Sequence, residues 1–272
     1  MTIGVCAPSR RIDRSTADHV LAIAATGHRE AELVFHDQCF ASHGHFAGTD
    51  EQRRSAFVEL ANDPDIDAIW FARGGYGACR IAGDAVGDLG EAARTKTYMG
   101  YSDGGNMLAA LYRHGIGTVA HGPMVADIGR TGGDMAITRA LDWLCDRASE
   151  ALAPGLEPDT PYAAFNLMTL AMLAASDLLP DLSGHVLVVE EVDEHLYAID
   201  RAFFAITSAL AGARLRGISL GRFSAIPENT IDFGIDVEQI ARHWCERSGI
   251  ALLDAMDIGH DADNKVVPFG TV

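Results

Sequence analysis

The sequence predicts an α/β protein: a parallel sheet covered by helices on both faces, followed by a second, less regular domain. Three observations carry that reading. Strand and helix patterns alternate through the first half of the chain. The composition then shifts over 153–162, where Pro154, Pro158 and Pro161 surround Gly155. The 272 residues, 48% hydrophobic and 22% charged, have a globular composition and ample length to bury a core.

Residues 3–7 read as the first strand and 14–25 as a helix with helical apolar spacing. Residues 32–35 are a second strand. Residues 50–62 form a helix that Thr49 can cap, with Phe57, Val58 and Ala61 on one face. The third strand, 66–72, runs into Arg73-Gly74-Gly75-Tyr76-Gly77. The fourth, 97–101, runs into Ser102-Asp103-Gly104-Gly105, with a helix over 106–114 behind it. A fifth strand at 117–120 and a helix at 134–148 complete the alternation. Beyond the proline-rich break the pattern gives a helix at 166–178, a strand at 185–192 and a helix at 200–212. A strand at 217–223, a helix at 236–248 and short strands near 250–253 and 266–268 follow. The expected organisation is a first domain over 1–152, a linker over 153–163 and a second domain over 164–272.

Charge excludes several function classes. The chain carries 21 Lys+Arg against 38 Asp+Glu, so 21 − 38 = −17. Holding nucleic acid or an anionic membrane surface needs concentrated basic residues, and neither partner is expected. No run of 18 apolar residues occurs; the most apolar stretch, 167–179, is broken by Thr169, Ser176 and Asp177. No basic segment precedes a long apolar one at the start, so the expected location is cytoplasmic. Cys6, Cys39, Cys79, Cys145 and Cys245 are widely spaced with no CxxC pair, which indicates neither a disulfide framework nor a zinc ribbon. His43 and His45 lack a third ligand and read as a polar loop. No metal and no organic cofactor is expected.

The sharpest local signal is Gly100-Tyr101-Ser102-Asp103-Gly104. It satisfies G-x-S-x-G between a predicted strand and a predicted helix. Small neighbours let a serine sit on a tight bend with its hydroxyl projecting, and the helix N-terminus favours a developing oxyanion. A serine needs a base, and His260 and His121 are the candidates. The base needs an acidic orienter. Glu190 and Glu191 end an apolar strand, where a carboxylate is either functional or salt-bridged, with Arg201 as a candidate partner. Gly74, Gly75 and Gly77 either make a tight turn or offer backbone N–H groups to an anion, with Arg73 or Arg80 nearby. The third glycine of G-x-G-x-x-G is replaced by Arg80, and no P-loop occurs.

Six pieces then occur in order: Ala7-Pro8-Ser9; Ala72-Arg73-Gly74-Gly75-Tyr76-Gly77 with Arg80; Gly100-Tyr101-Ser102-Asp103; His121-Gly122-Pro123; Val189-Glu190-Glu191 with Ile199-Asp200-Arg201; and Ile258-Gly259-His260 with Pro268-Phe269-Gly270. Together, over nearly the whole chain, they resemble the LD-carboxypeptidases, the muramoyltetrapeptide carboxypeptidases of peptidase family S66. The resemblance implies a flavodoxin- or Rossmann-like N-terminal domain and a smaller C-terminal β-rich α/β domain. It implies a serine peptidase that removes the terminal D-alanine from cytoplasmic murein tetrapeptides during cell-wall recycling, commonly as a homodimer. Carried over by position, Ser102 is the nucleophile, Glu190 the orienter and His260 the base. The oxyanion donors are the backbone N–H groups of Asp103 and Gly75. Arg73, Tyr76, Arg80 and His121 are the substrate-binding candidates, with Arg73 or Arg80 on the terminal carboxylate. The alternatives are a related amidase that cleaves peptide–nucleotide antibiotics, of the microcin-immunity type, and a non-catalytic peptide-binding protein. One departure is that Ala164-Phe165-Asn166-Leu167 stands where the family usually has Gly-Gly-Asn-Leu. The family also commonly continues with a further strand past the position of Gly270.

Overall fold

The computed structural model describes residues 1–271. The chain begins with β1 (Thr2–Cys6), α1 (Arg14–Gly27), β2 (Glu32–Phe35), α2 (Asp50–Asn62) and β3 (Ala68–Phe71). It continues with α3 (Ala82–Gly87), β4 (Thr97–Gly100), α4 (Gly105–Arg113), β5 (Thr118–His121) and α5 (Gly133–Asp146). β1 to β5 lie parallel in the order β2-β1-β3-β4-β5. β3 and β4 are buried along their whole length, as strands covered on both faces must be. Alternation along β3 sorts the core into two layers. Ala68 and Trp70 pack with Val20 of α1 and Leu141 of α5. Ile69 and Phe71 pack with Phe57 of α2 and Leu108 of α4. Thr49 caps α2 in a reciprocal box with Gln52, satisfying donors that the first turn leaves free.

The second sheet is parallel, in the order β6-β7-β8, from β6 (Tyr162–Asn166), β7 (Val186–Val192) and β8 (Gly217–Ser224). The helices α6 (Leu167–Leu173), α7 (Leu196–Leu210) and α8 (Val237–Ser248) accompany it. Its face toward the first unit shares one continuous core with it: Phe165, Leu167 and Val189 belong with Phe71, Tyr98 and Leu108. A small cluster of Tyr162, Ala164, Val186, Val188, Ile258 and Val267 covers the other face.

Three expectations need correction. Tyr162 and Ala163 belong to β6, so the connection ends before residue 163, and the helix expected from 166 begins at Leu167 and stops at Leu173. The run is buried on both faces and shows no alternation, so periodicity could not separate strand from helix. The strand expected near 250–253 is a single bridge between Ile218 and Leu252. The last strand, β9 (Val267–Pro268), leaves the second unit and pairs antiparallel with β5 of the first sheet.

The order 2-1-3-4-5 reverses direction between β1 and β3, and in open α/β sheets ligands bind at that crevice. The loops leaving β1 and β3 are tied together there by Arg53, which is fully buried. It donates to Pro8 O and, at 2.8 Å, to Gly77 O, and pairs with Asp50. Arg53→Met removes the guanidinium that joins the two carbonyls, leaving Pro8 O without it and Gly77 O with Arg80 N alone, while keeping most of the side-chain volume. The variant should lose about 3 kcal/mol of unfolding free energy in urea. An unchanged denaturation midpoint would show that the two loops hold without it.

Candidate active site

Ser102 opens a single 3-10 turn, Ser102–Gly104, between β4 and α4. Its φ of +57° lies in the left-handed region, uncommon for a residue with a side chain and typical of strained functional turns. A methyl on Gly74 would lie 3.1 Å from Ser102 Oγ, so a glycine there keeps the hydroxyl unobstructed. The Asp103 side chain anchors the turn. Its buried carboxylate accepts from Ser9 Oγ at 2.5 Å and from Ala78 N at 2.8 Å. Burial raises its pKa, against the pull of those two hydrogen bonds. The turn is thereby fastened to the loops after β1 and β3.

Glu190 lies near the end of β7 and is 0% exposed. Its Oε2 lies 2.9 Å from His260 Nδ1. An ionised carboxylate only accepts, so the Nδ1 proton points at Glu190 and Nε2 is left as the acceptor. The register with β8 slips beside Glu190: Val189 opposes Leu220, whereas Glu191 opposes Phe223. Irregularities of this kind re-aim side chains next to active sites. Gly221 sits in the slip, where a methyl would come within 2.7 Å of Ile258 Cγ1 and 3.2 Å of Glu190 Cβ.

Adjacent strand residues face opposite ways, and Glu191 turns from the histidine. It accepts from Asn166 Nδ2 (2.6 Å), Val192 N (2.8 Å) and Met168 N (2.9 Å). Burial pushes its pKa up to about 7 against those hydrogen bonds. Asn166 in turn caps α6 by accepting from Thr169 N, and Thr169 Oγ1 donates to Ser102 O at 3.3 Å. Arg201, the expected salt-bridge candidate, is exposed and lies over the Tyr197 ring instead.

The loop carrying His260 is held from several sides. Arg222 reaches Asp261 at 2.6 and 2.8 Å and also pairs with Asp257. Burial opposes the charge of Asp261, but Arg222 outweighs it and holds its pKa below the ordinary value. Gly259 N donates to Asn264 Oδ1 at 3.1 Å, and His121 Nε2 lies 3.1 Å from the same oxygen. The Tyr101 ring lies 4.7 Å from that of His260.

Ser102 and His260 line one cavity of about 460 Å³, together with Arg73, Gly74, Gly75 and Tyr101. No hydrogen bond joins Ser102 to His260. Glu190 lies behind the histidine. Three substrate-binding candidates fall outside. Arg80 pairs with Asp50 at 2.6 Å, because α2 presents a carboxylate to it. Tyr76 is exposed and packs against His45 and Phe46. His121 is fully buried beyond Tyr101, their rings 5.4 Å apart, and burial lowers its pKa. Arg10, Asp127 and Arg130 are lining residues that the sequence reading missed. Asp127 accepts from Tyr101 Oη and from Arg130 Nε, each at 2.8 Å. Among the described residues no group of three His, Cys, Asp or Glu is placed to hold a metal ion.

Residues 3–122 match the family model of the LD-carboxypeptidase N-terminal domain, and residues 162–272 that of the LD-carboxypeptidase C-terminal domain. The murein tetrapeptide carboxypeptidase of Pseudomonas aeruginosa is 27% identical over 247 residues, 85% of this chain and 79% of that protein. The probable murein peptide carboxypeptidase of Bacillus subtilis is 25% identical over 281 residues, 99% of this chain and 86% of that protein. The solved muramoyltetrapeptide carboxypeptidase from Oxalobacter formigenes has the same fold. Its TM-score is 0.81 at 24% identity, over 99% of this chain and 93% of that one. The microcin C7 self immunity protein MccF also shares the fold, with a TM-score of 0.79 at 18% identity, over 99% of this chain and 91% of that one.

The environment of Glu191 has a consequence for stability. Its ordinary pKa is 4.5 and its folded value about 7, so between them the folded chain holds a proton that the unfolded chain has released. Its contribution to stability therefore falls as pH rises from about 4.5 to about 7, and is level above that. Glu191→Gln removes this titration. Relative to that variant, the wild-type chain should lose about 3 kcal/mol of unfolding free energy between pH 4.5 and pH 8, followed by urea denaturation. A difference that stays flat with pH would mean that burial does not keep Glu191 protonated.

Proposed function

Because the chain belongs to the LD-carboxypeptidase family, we propose that it is a serine carboxypeptidase that releases the terminal D-alanine of murein tetrapeptides. The observation that carries this reading is the meeting of Ser102 and His260 on one cavity wall, with Glu190 buried behind the histidine. Ser102 stands on the turn after β4, Glu190 on β7 and His260 on the loop before β9.

In the reaction, Ser102 Oγ attacks the carbonyl carbon of the last peptide bond while His260 Nε2 takes its proton. Glu190 holds the Nδ1 proton and stabilises the imidazolium that forms. The backbone N–H groups of Gly75 and Asp103 receive the oxyanion, the first from the turn after β3 and the second from the turn that carries the serine. His260 then gives its proton to the leaving amine, and free D-alanine departs. The acyl-enzyme is opened by water along the same route, with His260 again as base. The terminal carboxylate falls to Arg73, since Arg80 is held by Asp50.

Incubation with murein tetrapeptide should yield free D-alanine, detected with a D-amino-acid oxidase assay. Ser102→Ala should fold normally by circular dichroism and lose about 10³-fold or more in turnover, as should His260→Ala. EDTA should leave the wild-type rate unchanged. Wild-type turnover by the Ser102→Ala chain would end the serine mechanism.

A further inference from the structure

Arg10 follows the first strand and projects beside the site without a role in the chemistry above. It lines the catalytic cavity, and it also lines a second, highly polar cleft of about 180 Å³. That cleft shares Arg10, Asp13 and Arg73 with the catalytic cavity and adds Arg11, Gly44 and His45. The two spaces therefore adjoin along a pair of arginines. The stem of Arg10 lies directly across Gly75, where a methyl group would overlap its Cδ. Only a glycine lets the arginine pass so close, so the residue proposed to supply an oxyanion donor also sets the path of Arg10.

The charges around this partition do not balance. Arg11 is paired with Asp13 at 2.8 Å, and Arg130 with Asp127 at 2.8 Å. Among the described residues Arg10 and Arg73 have no carboxylate within ion-pair distance, in a chain that carries 38 acidic residues. Burial lowers the pKa of Arg73 and the nearby charge of Arg10 lowers it further, against the opposing pull of Asp13, which also lines both spaces. Two guanidinium groups that repel each other at the edge of a cavity are relieved by anions. Carboxylates suit them because a guanidinium binds a carboxylate through two parallel N–H donors.

We propose that Arg10 holds a second carboxylate of the substrate, one inside the peptide, in the 180 Å³ cleft beside the catalytic cavity. The inference rests on the carboxypeptidase reading and narrows it: the preferred substrate is an acidic peptide with a carboxylate in addition to its terminal one. Arg73 and Arg10 then divide the work. Arg73, next to Gly74 and the serine, meets the terminal carboxylate. Arg10, over Gly75 and facing the cleft, meets the internal one.

The test is a binding titration on the inactive Ser102→Ala chain, by calorimetry. Three peptides are compared: the murein tetrapeptide, the same peptide with its internal carboxylates amidated, and the same peptide with only its C-terminal carboxylate amidated. Internal amidation should weaken binding about tenfold or more, and Arg10→Gln should abolish most of that discrimination. Arg10→Lys should restore part of it, since the charge is kept but the fork is lost. Arg10 lies at the surface, so these variants keep the fold, which their denaturation midpoints verify. The inference is overturned if Ser102→Ala binds the parent and internally amidated peptides alike, or not at all. It is equally overturned if Arg10→Gln leaves the ratio unchanged or alters only the response to C-terminal amidation. Release of D-alanine by the wild-type chain is measured beside it. Release without discrimination overturns the cleft alone; absence of both overturns the carboxypeptidase reading as well.

Discussion

The hydrogen bond between Glu190 and His260 sets the terms for the rest of the molecule. A carboxylate with no exposed surface costs several kcal/mol to bury as an ion unless a partner is held against it. The partner comes from a loop, the one that carries His260. The loop must also be rigid, or the histidine would leave the carboxylate uncompensated. Much of the irregular structure in the second half answers that need. β8 slips its register beside Glu190, Gly221 leaves room for Ile258, and Arg222 grips Asp257 and Asp261 on either side of the histidine. Asn264 takes the backbone N–H just before His260 and meets His121 of the first sheet. Beyond it, β9 pairs with β5, so the chain that leaves the histidine is anchored in the sheet that carries the serine.

Ser102 is held by the converse arrangement. Ser102 sits in a backbone conformation that its side chain disfavours, at a cost of about 1–3 kcal/mol. The turn cannot relax, because Asp103 is bound to Ser9 and Ala78 on one side and Tyr101 is bound to Asp127 on the other. The second unit adds a contact of its own: Thr169 of α6 donates to the serine carbonyl, and α6 is positioned through Asn166 by Glu191. The two carboxylates at the end of β7 thus have separate work. One is paired with His260; the other ties the second sheet to the Ser102 turn. The continuous core between the sheets makes both connections stiff, since close-packed interiors transmit displacement.

What was legible in the sequence follows from the range of the interactions involved. The strand–helix alternation, the Thr49 cap and the G-x-S-x-G turn are local patterns, and they appear where the sequence places them. β6 was not legible, because Tyr-Ala-Ala-Phe-Asn is buried on both faces and merges with the apolar helix behind it. Glu190 and His260 were nameable through family resemblance, but their meeting depends on a register slip that leaves no mark in either segment. Arg80 looked like a substrate ligand because it follows the glycine-rich turn; Asp50, distant in sequence, claims it. His121 sat at a strand end like a catalytic group, yet the strand that follows it in space, β9, helps to enclose it. In each case the deciding partner is remote in the chain.

The same locality governs electrostatics. A net charge of −17 suggests a molecule that repels acidic peptides, yet its cavity is lined by Arg10, Arg73 and Arg130. The two facts act over different distances. At physiological ionic strength exposed charges are screened beyond about 8 Å, so most of the distant carboxylates contribute little at the mouth of the site. Inside it, water is partly displaced and each nearby guanidinium is felt at closer to full strength. The arginines, placed by the loops after β1, β3 and β5, set the local charge of the cavity. The field inside the cavity is therefore governed by which side chains stand at the carboxyl ends of the strands, and only weakly by the overall charge of the chain.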